Sequence, residues 1–197
     1  MQNGLKNNMN FKTDFKNPAL FFSGGVESTL LYYIYATTTE LPLTLYLIDR
    51  NNNPIKKALT VFSKVNKIID FNHELKIESI PVGLTPVEQI AHLYEKVKYK
   101  HDIILYGVNK YPDDTTIRPR TIMNYNTVRN DKYVYAPFLD IDKSEIIKLY
   151  YDFKIDYLLT DTQSCGEDMK DPCKNCFNCR EREWAFNRLG KEVIWGI

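Results

Sequence analysis

Four cysteines and one pair of glycines carry most of the chemistry legible in this chain. Cys165, Cys173, Cys176 and Cys179 follow the spacing C-x7-C-x2-C-x2-C. Thiolates are soft ligands, and four of them suit a tetrahedral Zn2+ ion. The two x2 spacings allow a tight knuckle whose sulfurs face one ion, with the turn formers Gly166, Pro172, Lys174 and Asn175 between them. An iron–sulfur cluster takes the same ligands and is the competing reading. Unliganded core cysteines are not expected in so polar a stretch. Four protein thiolates leave no open position for a substrate, so the metal is expected to be structural.

The glycines lie in Ser23-Gly24-Gly25-Val26-Glu27-Ser28, between an apolar run, Ala19-Leu20-Phe21-Phe22, and a helical pattern over residues 28–36. At a helix N-terminus the first N–H groups lack partners, and the helix dipole adds positive potential. Glycines let the backbone turn tightly and approach an anion, and Ser23 and Ser28 add hydroxyl donors. The expectation is a phosphate cradle. A glycine-rich strand-to-helix turn with no ligand is the competing reading. The string lacks the lysine of a P-loop and the G-x-G-x-x-G spacing of a dinucleotide fold.

The elements that must hold these residues alternate. Strands are expected at residues 19–22, 43–48, 75–82, 103–106 and 133–138. Helices are expected at 28–36, 54–67, from Thr85 to about residue 98, and from Asp142 to about residue 153. Thr85-Pro86-Val87-Glu88 and Asp142-Lys143-Ser144-Glu145 both carry the signature of a capping box. Strands alternating with helices imply crossover connections, hence an α/β fold with a doubly wound, mostly parallel five-stranded sheet and helices on both faces. Residues 1–16 read as a tail or edge element, and 110–131 as a long loop. The organisation expected is an α/β nucleotide-binding domain over 1–160, followed by a zinc-binding segment and helix over 161–197.

Composition excludes several classes. With 44% hydrophobic and 26% charged residues in a chain of 197, a packed core is within reach and disorder is not expected. A net charge of +1 argues against nucleic acid as the partner. No segment approaches the roughly 18–20 apolar residues of a membrane span, and the polar start has no apolar run of signal-peptide length. With its cysteines clustered rather than spread as staples, the protein is expected in the cytoplasm. His73, His92 and His101 are isolated and read as surface or strand-end residues, while Tyr32, Tyr33, Tyr35, Tyr150, Tyr151 and Phe153 read as packing.

The loop string resembles the S-G-G-x-D-S signature of the PP-loop ATP pyrophosphatases (adenine nucleotide alpha hydrolase-like proteins), with Glu27 in the place of the usual Asp. Together with the cysteines, further segments narrow the resemblance. Gly107-Val108-Asn109 follows the fourth strand, and Asp49 ends the second. Ala136-Pro137-Phe138-Leu139 precedes the Asp142 segment, Thr162-Gln163-Ser164-Cys165 opens the cysteine motif, and Arg180 follows it. The chain is similar in these to the 7-cyano-7-deazaguanine synthase family. It departs from that family in lacking a P-G-R-N segment over 83–98 and in carrying only part of the substrate loop at Tyr111-Pro112-Asp113 and Arg118.

What the resemblance implies is an AMP-forming ligase that uses ATP and Mg2+ and holds a structural Zn2+. Its ATP site would comprise Ser23, Gly24, Gly25, Val26, Glu27, Ser28 and Asp49, with Ser23, Glu27 and Ser28 acting in catalysis. Gly107, Asn109 and Asp140 would lie near a 7-deazaguanine-type substrate. A homodimer is implied by the family alone. Three readings compete: the same adenylating chemistry on another acceptor, such as a nucleic-acid base; a non-catalytic nucleotide-binding partner; and a zinc-ribbon nucleic-acid binder.

Overall fold

A computed structural model describes residues 11–49, 54–69, 73–119, 124–165 and 171–196. Five strands, β1 (Pro18–Phe21), β2 (Thr44–Asp49), β3 (Glu74–Ser79), β4 (Ile103–Tyr106) and β5 (Val134–Tyr135), form one sheet in the order β3-β2-β1-β4-β5. Every pairing is parallel, with Leu20 opposite Leu45 and Leu105, and Leu45 opposite Leu75. The helices are α1 (Val26–Thr38), α2 (Pro54–Ile69), α3 (Pro86–Val97), α4 (Tyr125–Asn130), α5 (Lys143–Asp152) and α6 (Phe177–Arg188), with a 3-10 turn at Asp156–Thr160.

Alternation along the strands divides the core in two. Leu20, Leu45, Leu47, Ile103 and Leu105 face α1, α2, α5 and α6, whose Leu30, Val61, Ile146 and Phe186 complete a large cluster. Ala19, Tyr46 and Ile104 face the other way and are covered by Leu93 and Val97 of α3 in a smaller one. Both faces are therefore covered at the centre of the sheet, where β1 and β4 read as continuous apolar runs, while the edge strand β3 carries charged residues and is partly exposed. Helix α1 is buried from Ser28 through Ala36, as suits a helix apolar on most sides at the centre of the larger layer. Ala185 and Phe186 of α6 belong to that same cluster, so one apolar core continues from the sheet into the cysteine-bearing segment.

The capping boxes form at Thr85 with Glu88 and at Asp142 with Glu145. The expected elements shift in three places. The third strand stops at Ser79 rather than at residue 82: Pro81 cannot donate to a ladder, and Gly83 turns the chain at φ 92°, leaving Val82 94% exposed. The fifth strand is two residues long rather than six, since Pro137 follows and Ala136 to Asp140 forms turns. The stretch 110–131, expected as loop, contains α4, started by Asn124 accepting from the N–H groups of Asn126 and Thr127; its residues 120–123 lie outside the described ones, as do Gly166 and most of the expected N-terminal tail. His73 does stand at a strand's end, before β3, but it is buried and not at the surface; its Nδ1 accepts from Leu43 N–H at 3.1 Å. His92 is exposed, and Tyr32, Tyr33, Tyr35 and Tyr150 are core residues.

Candidate functional site

The chain leaves β1 with Phe22 N–H donating to Tyr46 carbonyl (2.9 Å) and enters the glycine loop. Gly24 has φ 71°, and a Cβ there would stand 2.7 Å from Ala58 Cα on α2. Only glycine fits, by conformation and by space. The two hydroxyls close the loop on itself: Ser23 Oγ accepts from Gly25 N–H (3.2 Å) and lies 3.1 Å from Ser28 Oγ, which accepts from Ser23 N–H (3.2 Å). Gly25 caps α1 with extended backbone and no side chain, so nothing from the cap competes for the positive end of a 13-residue helix.

Parallel strands bring the other expected residues to the same edge of the sheet. Asp49 ends β2, next to β1, and is half-buried. Gly107 follows β4 on the other side of β1, and a Cβ there would stand 2.8 Å from Ser28 N and 3.0 Å from Glu27 C. This close approach seats Gly107-Val108-Asn109 against the first turn of α1. Asn109 is buried; its Nδ2 donates to Glu181 Oε1 (3.0 Å) and to Lys110 carbonyl (2.8 Å), and its carbonyl accepts from Tyr125 hydroxyl (3.0 Å). Asp140 is held differently: its exposed carboxylate pairs with Arg129 Nη2 at 2.5 Å.

Glu27 turns inward. Its Oε1 lies 2.8 Å from Lys143 Nζ, which also lies 2.5 Å from Glu181 Oε2; the three side chains are 15%, 4% and 3% exposed. Burial works against the Lys143 ammonium, but Glu181 and Glu27 outweigh it and hold its pKa above that of an ordinary lysine. Burial and the neighbouring Glu27 raise the Glu181 pKa, against the opposing pull of Lys143. The bridge Lys110–Asp142, with Lys110 N–H donating to Ile141 carbonyl (2.9 Å), places the start of α5, and so Lys143, beside Asn109.

The cysteines converge. Sγ atoms of Cys165, Cys173, Cys176 and Cys179 all lie within 4.8 Å of one another, and Cys173 and Cys179 are 3.9 Å apart. Zn–S bonds of about 2.3 Å in a tetrahedron require S–S edges of about 3.8 Å, so the cage fits a single ion. Lys174 at φ 59° bends the knuckle so that Asn175 N–H (3.5 Å) and Cys176 N–H (3.2 Å) donate to Cys173 Sγ. Burial opposes ionisation of Cys173, but these donors prevail and bring its pKa down to about 7. Burial pushes the Cys179 thiol up. Cys176 caps α6 and Cys179 lies in its first turn.

Lys143, Glu181, Arg182 and Gln163 are the residues that sequence reasoning missed as parts of a site. Gln163 N–H donates to Gly24 carbonyl (3.1 Å), tying the cysteine segment to the glycine loop. Arg180, beside the last cysteine, is exposed and reaches Thr116 carbonyl (2.7 Å). Arg182 is the buried one: it donates to the carbonyls of Leu159 (2.7 Å), Thr162 (3.0 Å) and Ile194 (2.8 Å) and to the hydroxyls of Thr162 (3.1 Å) and Ser164 (3.2 Å). Its burial lowers the guanidinium pKa to about 10. The one available signal was position: Lys143 follows a cap residue, and Glu181 and Arg182 lie within three residues of Cys179.

Known proteins resemble this chain in sequence. A family model described as queuosine biosynthesis protein QueC matches residues 55–190, a span that begins after the glycine loop. The 7-cyano-7-deazaguanine synthase of Persephonella marina (strain DSM 14350 / EX-H1) is 33% identical over 158 residues, covering 72% of this chain and 69% of that protein. The 7-cyano-7-deazaguanine synthase of Archaeoglobus fulgidus is 26% identical over 211 residues, covering 85% and 84%. Among solved structures, the NH3-dependent NAD synthetase from Campylobacter jejuni superposes with a TM-score of 0.47 at 17% identity, covering 78% of this chain and 69% of that one. No helix among the described residues is long and apolar enough to cross a membrane.

Proposed function

The chain belongs to the family of queuosine biosynthesis protein QueC, and from that membership we propose that it is an ATP-dependent ligase making 7-cyano-7-deazaguanine from 7-carboxy-7-deazaguanine and ammonia. The substrate carboxylate attacks the α-phosphorus of ATP, and the α–β phosphoanhydride breaks with release of pyrophosphate. Ammonia displaces AMP to give the amide. A second adenylation of the amide oxygen, followed by loss of AMP and a proton, gives the nitrile.

The protein's part is positioning and charge stabilisation. The open N-terminus of α1, with the Ser23 and Ser28 hydroxyls, receives the leaving phosphates. Asp49 flanks the nucleotide from the neighbouring strand, and Gly107 and Asn109 bring the acceptor against the loop. Mg2+, when bound, would supply charge neutralisation at the leaving pyrophosphate; Glu27, the carboxylate of the loop, has its Oε1 against Lys143 Nζ and so would contribute little to holding it. Cys165, Cys173, Cys176 and Cys179 would hold Zn2+, which would help fix the start of α6.

The observation that carries this reading is the close approach of Gly107 to Ser28 and Glu27, which supports reading the G-V-N segment and the glycine loop as one site. The test is turnover by metal-loaded protein given ATP, Mg2+, 7-carboxy-7-deazaguanine and ammonium, with products identified by mass spectrometry. AMP, pyrophosphate and the nitrile are expected. ATP consumed only with another acceptor would move the substrate assignment, and no AMP with any acceptor would sink the ligase reading.

A further inference from the structure

Glu27, Lys143 and Glu181 come from α1, α5 and α6, yet form one buried chain of charge: Glu27 Oε1 to Lys143 Nζ at 2.8 Å, and Lys143 Nζ to Glu181 Oε2 at 2.5 Å. One end is in the first turn of α1, beside Ser28 of the phosphate cradle. The other is two residues beyond Cys179 on α6, with a branch through Asn109 Nδ2 at 3.0 Å. We infer that Lys143 is a positioning residue coupling the four-cysteine cluster to the glycine loop, so that filling the metal site orders the phosphate cradle. The inference rests on reading the loop as a phosphate site.

First, α6 has no side-chain cap at Cys176, and two of the four thiols, Cys176 and Cys179, sit at its cap and in its first turn. A metal on the cluster would therefore fix the first turn of α6, and Glu181 follows that turn directly, ahead of the Arg182 bonds that anchor the rest of the helix. Second, Lys143 cannot be a passive filler. Two carboxylates converge on it in a site almost closed to water, where losing one partner leaves an uncompensated buried charge. Displacing Glu181 thus changes what Lys143 offers Glu27. An ion pair serving only to stabilise the fold would respond to its own substitution, and the loop's response to the metal would be unaltered. A rival route exists, because Gln163 N–H to Gly24 carbonyl (3.1 Å) joins the same two segments through backbone alone. Substituting Lys143 leaves that tie in place, so the two routes can be separated.

The test measures amide hydrogen exchange in the peptide spanning residues 24–30, in full-length metal-loaded protein and after chelation. Wild type is compared with Lys143→Met and with the charge-free triple Glu27→Gln/Lys143→Met/Glu181→Gln. The triple leaves no unpaired ion and carries the test if the single variant does not fold. Binding of α,β-methylene-ATP by calorimetry is the second readout. Chelation is expected to speed loop exchange and weaken nucleotide binding about tenfold in wild type, and to change either by less than about twofold in the variants, whose loops are already loose. A full metal response retained in both variants assigns the coupling to the Gln163–Gly24 tie and overturns the inference, as does a wild-type loop indifferent to chelation. Loaded wild type that binds no nucleotide while its loop exchange still follows the metal through Lys143 strikes the ATP reading and upholds the relay.

Discussion

A Cβ on Gly24 would need both a left-handed backbone and space already filled by Ala58. Gly24→Ala is therefore expected to destabilise the fold by about 2 kcal/mol or more, read as a lower urea midpoint, and to abolish AMP formation. His73 acts through its proton. Burial lowers its pKa from 6.5, and its Nδ1 must stay unprotonated to accept from Leu43 N–H. The folded protein thus binds this proton less readily than the unfolded chain. The stability tied to His73 is complete above pH 6.5 and is lost as pH falls through that value, down to the lower pKa of the folded state. Burial lowers the pKa of His101 as well, so the His73 share is read by difference. Between pH 7.5 and 5.5 the wild-type urea midpoint should fall further than that of His73→Gln; equal slopes would remove the assignment. At this scale the sequence was readable where chemistry is local. Paired glycines and spaced cysteines announce themselves within a few positions. Lys143 did not, because its partners at positions 27 and 181 belong to other helices and only the fold brings them together.

The two capping boxes make a controlled comparison at the scale of elements. In α3, Thr85 Oγ1 accepts from Glu88 N–H at 3.4 Å and Glu88 Oε2 accepts from Thr85 N–H at 2.8 Å, far from the glycine loop in sequence and on the opposite face of the sheet from α1. In α5, Asp142 Oδ1 accepts from Ser144 N–H (2.8 Å) and Glu145 N–H (3.2 Å), one residue before Lys143. Thr85→Ala should cost about 1 kcal/mol, seen as a lower Tm, with AMP formation unchanged. Asp142→Ala should lower Tm by at least as much and slow AMP formation too, because the helix start it fixes is the base from which Lys143 reaches Glu27. Both caps were legible, since a cap is a pattern of four adjacent residues. The termini of β3 and β5 were not. Apolar residues continued past Ser79 and Tyr135, but Pro81 and Pro137 decided where pairing could continue. The six residues of α4 carry too short a pattern to distinguish from loop, and its Asn124 cap was the only local sign of it.

For the whole molecule, α6 matters through what it shares. Its Ala185 and Phe186 lie in the cluster that covers the sheet, and Arg182 bonds the carbonyls of Leu159, Thr162 and Ile194. Removing the metal should therefore shift one calorimetric transition to lower temperature and not split off a separate C-terminal one; two resolved transitions would show that the core is not continuous. Alternation of strands and helices conveyed the α/β class, but it says nothing of which strands are neighbours, because that order is set by the helix layers. The order observed has a kinetic consequence. Strand β1 lies between β2 and β4, and Pro18 on β1 is opposite Ile103 on β4. While the chain is being synthesised, β1, β2 and β3 can assemble with their helices as soon as they emerge. One side of β1, with its apolar Ala19, Leu20 and Phe21, then stays an open edge until β4 has been made. Closing so distant a pair is slow, and an unpaired apolar edge invites other chains, so the nascent protein is most exposed to misassembly in the interval between these two strands.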